Sequence, residues 1–441
     1  MINYKNKNII IIGLGRTGLS CINFFISRGI IPRVMDTRIY PPNLKMLPPF
    51  IESCLGSLNS QWLYTADLIV ISPGIDIIKH DLLREAICAG IEIISDIELF
   101  CREVKKPILA ITGTNGKSTV ATMIAAIANY CGIITGLGGN IGHPVLNLLQ
   151  KSYQLYVLEL SSFQLETTFS LHAAAATVLN INEDHGDRYL SKNDYCSVKC
   201  KIYKNADICI FNADNKYTKP KLFGNQYISF GINKGDYHLN IQKKNIWLQK
   251  HGKNILNTKE MKLIGQHNYT NSLAVLAFAD VLRLPRTASL HIIKNFTGLP
   301  HCFQMVWENN GIRWINDSKS TNVSSTIAAL QITRMIVHGT IYLLLGGIGK
   351  SANFKSLINY LQGDNIKIYC FGHDGYRLNL LRPDISIITN TMDEAIKCIA
   401  KKVVSGDIVL LSPACSSLDH YYNFAHRGNV FTKLAKKFGI S

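Results

Sequence analysis

Residues 111–119 read Ile-Thr-Gly-Thr-Asn-Gly-Lys-Ser-Thr. An apolar strand pattern, Pro107 to Ile111, runs into this loop, and a helix pattern, Ser118 to Tyr130, runs out of it. In such an arrangement backbone N–H groups and a helix N-terminus cradle phosphate, the lysine reaches the β- and γ-phosphates, and the serine hydroxyl meets Mg2+. The spacing departs from G-x-x-x-x-G-K-[ST], because position 111 is Ile where that pattern has Gly. The segment reads as a shortened triphosphate loop inside a parallel α/β unit.

Downstream, strands are expected at Leu155 to Glu159 and Ala174 to Asn180. Glu159 ends the first of these, where ligands bind in a parallel sheet. The loop Asn182 to Arg188 follows the second and carries His185, while Lys199 sits in the helix-like run YCSVKCKIY. Mg2+ prefers hard oxygen ligands, which the Glu159 carboxylate supplies; beside it His185 reads as a metal ligand or as an ordinary hydrogen-bonded imidazole, and Lys199 as a solvated lysine. From Gly235 to Lys262 the period changes to two around KKN and HGK turns, which predicts antiparallel hairpins appended to the sheet. A helix from Asn268 to Leu282 closes the unit.

Upstream, the strand Asn8 to Ile12 enters a second glycine loop, Gly13-Leu-Gly15-Arg-Thr-Gly18, followed by a helix through Phe25 and a strand, Pro32 to Met35, ending at Asp36. Taken alone this reads as an NAD site, with glycines at the pyrophosphate and the acid on a ribose. A pyrophosphate site for another nucleotide and a tight turn that binds nothing are the alternatives. Strands at Asp67 to Ile71, before Ser72-Pro73-Gly74, and at Ile91 to Ile94 complete this unit. Beyond the linker-like Thr297 to His301, strands at Arg313 to Asn316, Thr340 to Leu345, Ile366 to Phe371 and Asp407 to Leu411 form a third. The expected domains are therefore 1–95, 96–299 and 300–441, in keeping with 441 residues at about 150 per domain.

Composition excludes other classes. The chain is 47% hydrophobic and 17% charged, so disorder and a small disulfide scaffold are ruled out. No apolar run approaches a membrane span, and the first residues show no signal-peptide cleavage site. The charge of +17 comes from scattered lysines and arginines in a chain rich in Ile, Lys, Asn and Tyr. It reads as coding bias rather than a nucleic-acid stripe, with a general preference for anionic substrates. Twelve cysteines without a CxxC pair or zinc spacing read as reduced core residues of a cytoplasmic protein.

Six segments occur in order: GTNGKST, LELSSFQLE, DHGDRY, GQHNYTN, WINDSKSTN and LLSPACSSLDHYYNF. With VMDTR and SPGI near the N-terminus they span essentially the whole chain and resemble the Mur ligase superfamily. GTNGKST is shared across that superfamily and with folylpolyglutamate synthetase, whereas SSFQLE and DSKSTN point to the D-glutamate-adding branch. The resemblance implies an α/β protein of three domains: Rossmann-like, then ATP-binding with the appended hairpins, then Rossmann-like again. It implies an ATP-dependent ligase that adds D-glutamate to UDP-N-acetylmuramoyl-L-alanine through an acyl phosphate in peptidoglycan synthesis. ATP, Mg2+ and a carbamylated lysine are expected, in a monomer with no nucleic-acid partner and no membrane insertion. Another amide ligase of the superfamily is the nearest alternative, and an NAD-dependent dehydrogenase a remote one.

By the same resemblance, Gly15, Thr17, Asp36, Thr37, Arg38, Ser72 and Gly74 would bind the UDP portion and Asn140 the muramoyl portion. Gly113, Thr114, Asn115, Gly116, Lys117, Ser118, Thr119 and Val120 would hold the ATP phosphates, Asn268 and Asn271 the adenine, and Asp317 the ribose. Ser118, Glu159, His185 and Lys199, the last as its carbamate, would be metal ligands. Lys319, Thr321, Lys350, Ser417 and Phe424 would line the D-glutamate pocket, and His301 would sit near the reacting groups, joining Lys117, Lys199, His185 and Glu159 as catalytic. Three segments depart from the family pattern. H-R-F-E reads His301-Cys302-Phe303-Gln304, G-G-D-G-K reads Gly346-Gly347-Ile348-Gly349-Lys350, and Gly186 replaces a large apolar residue in DHGDR.

Overall fold

The computed structural model describes residues 3–221, 226–242, 245–350 and 352–439. Four consecutive isoleucines have no polar face, so Ile9–Ile12 forms a strand covered on both sides, and all four side chains are buried. It is the centre of a five-stranded parallel sheet, ordered Ser53–Leu55, Arg33–Asp36, Ile9–Ile12, Leu68–Ile71, Glu92–Ile94. The order of travel reverses between Ile9–Ile12 and Leu68–Ile71, which opens a crevice at their carboxyl ends. There the first glycine loop meets the Ser72 turn, and Ser72 Oγ donates to Gly13 O at 3.2 Å.

The helix Asp96–Glu103 binds this unit to the next. Ser95 caps it by accepting from Glu98 N, and Ser95 N donates to Thr167 O at 3.1 Å. Glu98 Oε2 accepts from Phe169 N and Ser170 N at 2.7 and 2.9 Å. One apolar cluster therefore runs from Ile9 through Phe100 to Cys209, across both sheets.

The central sheet has nine strands, ordered Lys253–Asn257, Asn245–Lys250, Tyr237–Gln242, Gln226–Phe230, Ala206–Asn212, Ala173–Val178, Ile108–Thr112, Leu155–Glu159, Thr135–Gly139. The last three strands in sequence are the anticipated antiparallel hairpins. The KKN turn includes residues 243–244, outside the described residues, while the HGK turn is present, with Gly252 at φ +81°. The edge strand Thr135–Gly139 went unforeseen because three of the five residues of TGLGG are glycines, which leave no alternation and little strand propensity. Its last glycine serves close approach: a Cβ on Gly139 would lie 2.3 Å from Glu159 O.

The third sheet is ordered Gln304–Asn309, Ile312–Asn316, Ile408–Leu411, Ile341–Gly346, Ile366–Phe371, Ser386–Ile388, with only the first pair antiparallel. Separate apolar clusters cover its two faces. Among the described residues no helix is long and apolar enough to cross a membrane. All twelve cysteines are free.

Candidate active site

The phosphate loop folds as its glycines require. Gly113 has φ +148° and Gly116 +84°, and a Cβ on Gly116 would lie 2.4 Å from Asn271 Oδ1. Gly116 begins the helix Lys117–Tyr130, whose N-terminus faces the loop with its positive dipole end. Asn115 N donates to Asn180 Oδ1 at 2.8 Å, pinning the loop to the neighbouring strand end. Lys117 Nζ donates to the carbonyls of Gly113 and Thr114 at 2.9 and 2.8 Å, so its ammonium lies over the loop. Burial pulls its pKa down, and Lys319 adds to this against the opposing charge of Glu159.

Ser118 joins the central and C-terminal units. Its hydroxyl donates to Glu159 Oε2 at 2.6 Å and accepts from Lys319 Nζ at 2.6 Å. Asn140 Nδ2 donates to Glu159 Oε1 at 3.0 Å. Among the described residues no three His, Cys, Asp or Glu side chains gather as a metal cage. Mg2+ binds through one or two carboxylates, with hydroxyl, water and phosphate oxygens completing the shell. The donor set of Ser118 and Glu159, with His185 on the same cavity wall, supplies that chemistry.

Lys199 is fully buried on the helix Lys192–Cys200. Its Nζ donates to Thr112 Oγ1 and Gly113 O at 3.2 and 3.0 Å. Burial, and secondarily the charge of Lys117, depresses its pKa well below the ordinary lysine value. His185 adopts φ +56°, and its ring meets Phe163 edge-on at 4.7 Å. Burial lowers the imidazole pKa to about 4, so the ring is neutral near pH 7. Burial tends to raise the pKa of the adjacent Asp184, but the Lys350 charge and the hydrogen bonds from the Asn322 amide and the His185 backbone N–H favour the carboxylate and bring it below the ordinary value.

The C-terminal unit is closed over this loop. Asn322 Nδ2 donates to Asn115 Oδ1 at 3.1 Å and to Asp184 Oδ2 at 3.2 Å. Asn115 Nδ2 donates to Ser324 Oγ at 2.9 Å, and Lys350 Nζ lies 3.9 Å from Asp184 Oδ1. Lys319 is aimed by the buried Arg427, which donates to Ser318 Oγ and Ser318 O at 3.0 and 2.9 Å. The cleft measures about 800 Å3, within the range of small-molecule sites. At one end Gly265, Asn268 and Asn271 face Ile332 and Met335 of the helix Val323–Ile336. A Cβ on Gly265 would lie 2.7 Å from Ile332 Cδ1.

Of the residues assigned by resemblance, the structure brings Thr114 to Thr119, Asn140, Glu159, His185, Lys199, Asn268, Asn271, Asp317, Lys319, Thr321, Lys350 and Phe424 to this one cavity. Gly113 shapes the loop from behind, and Val120 is buried within the helix. Ser417 is buried away from the cavity lining. The His301 ring also lies off the lining, with Nδ1 3.1 Å from Asn316 Nδ2, and packs against Gly428. The Asp317 carboxylate is engaged internally, accepting from Phe303 N at 3.0 Å and Ser412 Oγ at 2.7 Å. Burial, partly offset by Ser320 and Ser412, raises its pKa to about 6.

Gly15, Thr17, Asp36, Thr37, Arg38, Ser72 and Gly74 lie outside this cavity, on the N-terminal unit. Asp36 is not free for a ribose. Its Oδ2 accepts from Leu14 N at 2.7 Å, and Arg38 Nε and Nη2 reach the carboxylate at 2.8 and 2.7 Å. Burial raises its pKa, yet these donors more than reverse that and hold it below the usual range. Asp36 shapes the loop and aims the exposed Arg38.

Sequence reasoning did not single out Asp184, Phe163, Asn322, Ser324 or Ile332 among the cavity residues. Asp184 was discoverable beside His185, and Asn322 within DSKSTN; no local pattern marks Phe163, Ser324 or Ile332 as cavity residues. Cys302 also lines the cavity, with its thiol pushed up to about 11 by burial.

Fold and site together define a nucleotide-using enzyme whose C-terminal unit closes on a phosphate loop. The chain belongs to the Mur ligase family: models described as Mur ligase MurD-like N-terminal domain, Mur ligase middle domain and Mur ligase glutamate ligase domain match residues 7–95, 111–279 and 301–415. It is 57% identical to the UDP-N-acetylmuramoylalanine--D-glutamate ligase of Yersinia pseudotuberculosis serotype I (strain IP32953) and 56% to that of Escherichia coli (strain K12), over 100% of each chain. Among solved structures, the UDP-N-acetylmuramate-alanine ligase MurC of Thermotoga maritima aligns with TM-score 0.64 at 20% identity, over 98% of this chain and 100% of that one. MurF of Acinetobacter baumannii aligns with TM-score 0.64 at 16% identity, over 99% and 93%. These two likenesses establish the fold alone.

Proposed function

We propose that the chain couples ATP cleavage to amide formation between UDP-N-acetylmuramoyl-L-alanine and D-glutamate, a step of peptidoglycan synthesis. The observation that carries this reading is the 57% identity to a ligase of that name over the whole of both chains. The cavity supports it, because one cleft joins a phosphate loop, buried lysines and a C-terminal wall.

In the reaction, a carboxylate oxygen of the L-alanyl group attacks the γ-phosphorus and ADP leaves. The D-glutamate nitrogen then attacks the acyl phosphate carbon, loses a proton, and inorganic phosphate departs. Lys117 and Lys319 neutralise charge on the transferring phosphoryl group. Ser118, Glu159 and His185 would hold Mg2+, which supplies further charge neutralisation when bound. The Lys350–Asp184 pair offers both signs to an amino-acid zwitterion, the lysine to a carboxylate and Asp184 to the ammonium. Lys199 is suited to carbamylation, since burial favours the neutral amine that adds to CO2 with loss of a proton. The chain is proposed to act as a cytoplasmic monomer. The engaged carboxylate of Asp36 argues against a dinucleotide dehydrogenase.

Phosphate release measured with ATP, UDP-N-acetylmuramoyl-L-alanine and D-glutamate, L-glutamate or meso-diaminopimelate tests the reading. Release should need all three substrates and prefer D-glutamate. Release indifferent to the UDP substrate, or preferring another amino acid, would refute it.

A further inference from the structure

Arg188 takes no part in the chemistry above, yet its side chain ties the central unit to the N-terminal one. Its Nε donates to Glu166 Oε1 at 3.1 Å and its Nη2 to Glu166 Oε2, a forked pair. The guanidinium carbon sits 4.2 Å from the centre of the Phe163 ring, which also meets the His185 ring edge-on and stacks on Tyr189. The remaining donors cross to the N-terminal unit: Nη1 reaches Pro73 O and Nη2 reaches Ile75 O, each at 3.3 Å. Only 8% of the side chain is exposed. Lys79 Nζ returns the contact by donating to Asp187 O at 2.8 Å.

The Pro73–Ile75 turn stands against the first glycine loop through Ser72 and Gly13. The loop that carries Arg188 also carries Asp184 and His185, and Gly186 gives it no side chain with which to anchor itself. One guanidinium therefore spans the first glycine loop's neighbour and the loop at the phosphate site. We infer that Arg188 is a positioning residue: it sets the offset between the UDP-binding unit and the phosphate site, so that the acyl carboxylate reaches the γ-phosphate. This rests on the substrate assignment above. Misplacing a reacting group by about 1 Å costs on the order of 10²-fold in rate.

The test compares Arg188→Met and Arg188→Lys with the parent protein. Hydrogen exchange at residues 72–75 and 162–166 reads the clamp independently of the reaction, and should quicken in Arg188→Met. Kd for UDP alone and for a non-hydrolysable ATP analogue should stay within about twofold, since neither ligand touches both of the units that Arg188 ties together. Acyl-phosphate-dependent phosphate release should fall by roughly 10²-fold in kcat, with Arg188→Lys intermediate because it keeps the charge and loses the fork. Unchanged kcat, unchanged exchange at residues 72–75, or equal losses in UDP and nucleotide binding would each overturn the inference. A parent protein that binds UDP and nucleotide yet turns over no UDP-linked substrate would instead defeat the functional reading.

Discussion

Removing the Ser324 hydroxyl should weaken domain closure without unfolding either domain. Ser324 Oγ accepts from Asn115 Nδ2 at 2.9 Å and from Asn182 Nδ2 at 3.3 Å, both on the central unit. Its remaining bond, to Asn322 Oδ1 at 2.9 Å, stays within the C-terminal unit. A net hydrogen bond contributes about 0.5–1.5 kcal/mol. The second bond is long, and Asn115 keeps a 3.4 Å contact with Asn322 Oδ1, so about 1–2 kcal/mol of closure energy should be lost in Ser324→Ala. That lowers the closed-to-open ratio by a factor of about 5–30. Where the closed form is the minor one before substrate binds, apparent nucleotide affinity falls by the same factor. In steady-state phosphate release, kcat/KM for ATP should therefore drop about 5–30-fold, while kcat at saturating ATP drops less, because ligand draws the domains together. Small-angle scattering should show a larger radius of gyration at subsaturating ATP, and thermal unfolding should barely change because Asn322 still caps its helix through Ser325 N. A variant with parental kcat/KM for ATP and parental scattering would refute the view that these cross-domain bonds govern closure.

Lys117→Ala should cut ADP formation by roughly 10²–10³-fold or more, since no other side chain of residues 113–119 carries a positive charge; turnover near the parental rate would remove Lys117 from the phosphate site. Lys199→Ala should be inactive and partly restored by formate or acetate if a carbamate is the working group, whereas rescue by ammonium would assign the role to the amine itself. Asp96, fully buried at the start of the helix Asp96–Glu103, has its pKa raised to about 7 by burial, and no protein group donates to its Oδ1. Its folded pKa lies above the unfolded value, so the native state holds the proton more tightly and stability from this group is lost as pH rises from about 4 to about 7. In urea titrations across that range the parent should lose stability relative to Asp96→Asn, and parallel curves would contradict the assignment.

Much of the architecture was legible from short stretches. Leu155–Glu159 and Ile366–Phe371 are apolar runs with one charged residue each, and both are strands with the bounds that their patterns give. The edge strands were harder. Gln304–Asn309 follows a Gly/Pro stretch and exposes much of its length, so hydrophobic period carries little signal. Thr135–Gly139 is a strand because its neighbour Leu155–Glu159 pairs with it, and its glycines accept the close approach. In the site, the phosphate loop announces itself because glycine, lysine and serine must be adjacent to work. His301 and Asp317 sit in equally suggestive sequence, yet Asn316, Ser412 and the amide of Phe303 engage them from within the fold.

A triphosphate loop between strand and helix, and three α/β units in series, follow from interactions spanning a dozen residues, where side-chain period and backbone freedom act directly. The closed cavity follows from contacts between residues about two hundred positions apart, such as Lys319 on Ser118 and Asn322 on Asn115. Hydrogen bonds of this kind need atoms placed to within a few tenths of an ångström, and only the packing of the separate cores against one another sets those distances.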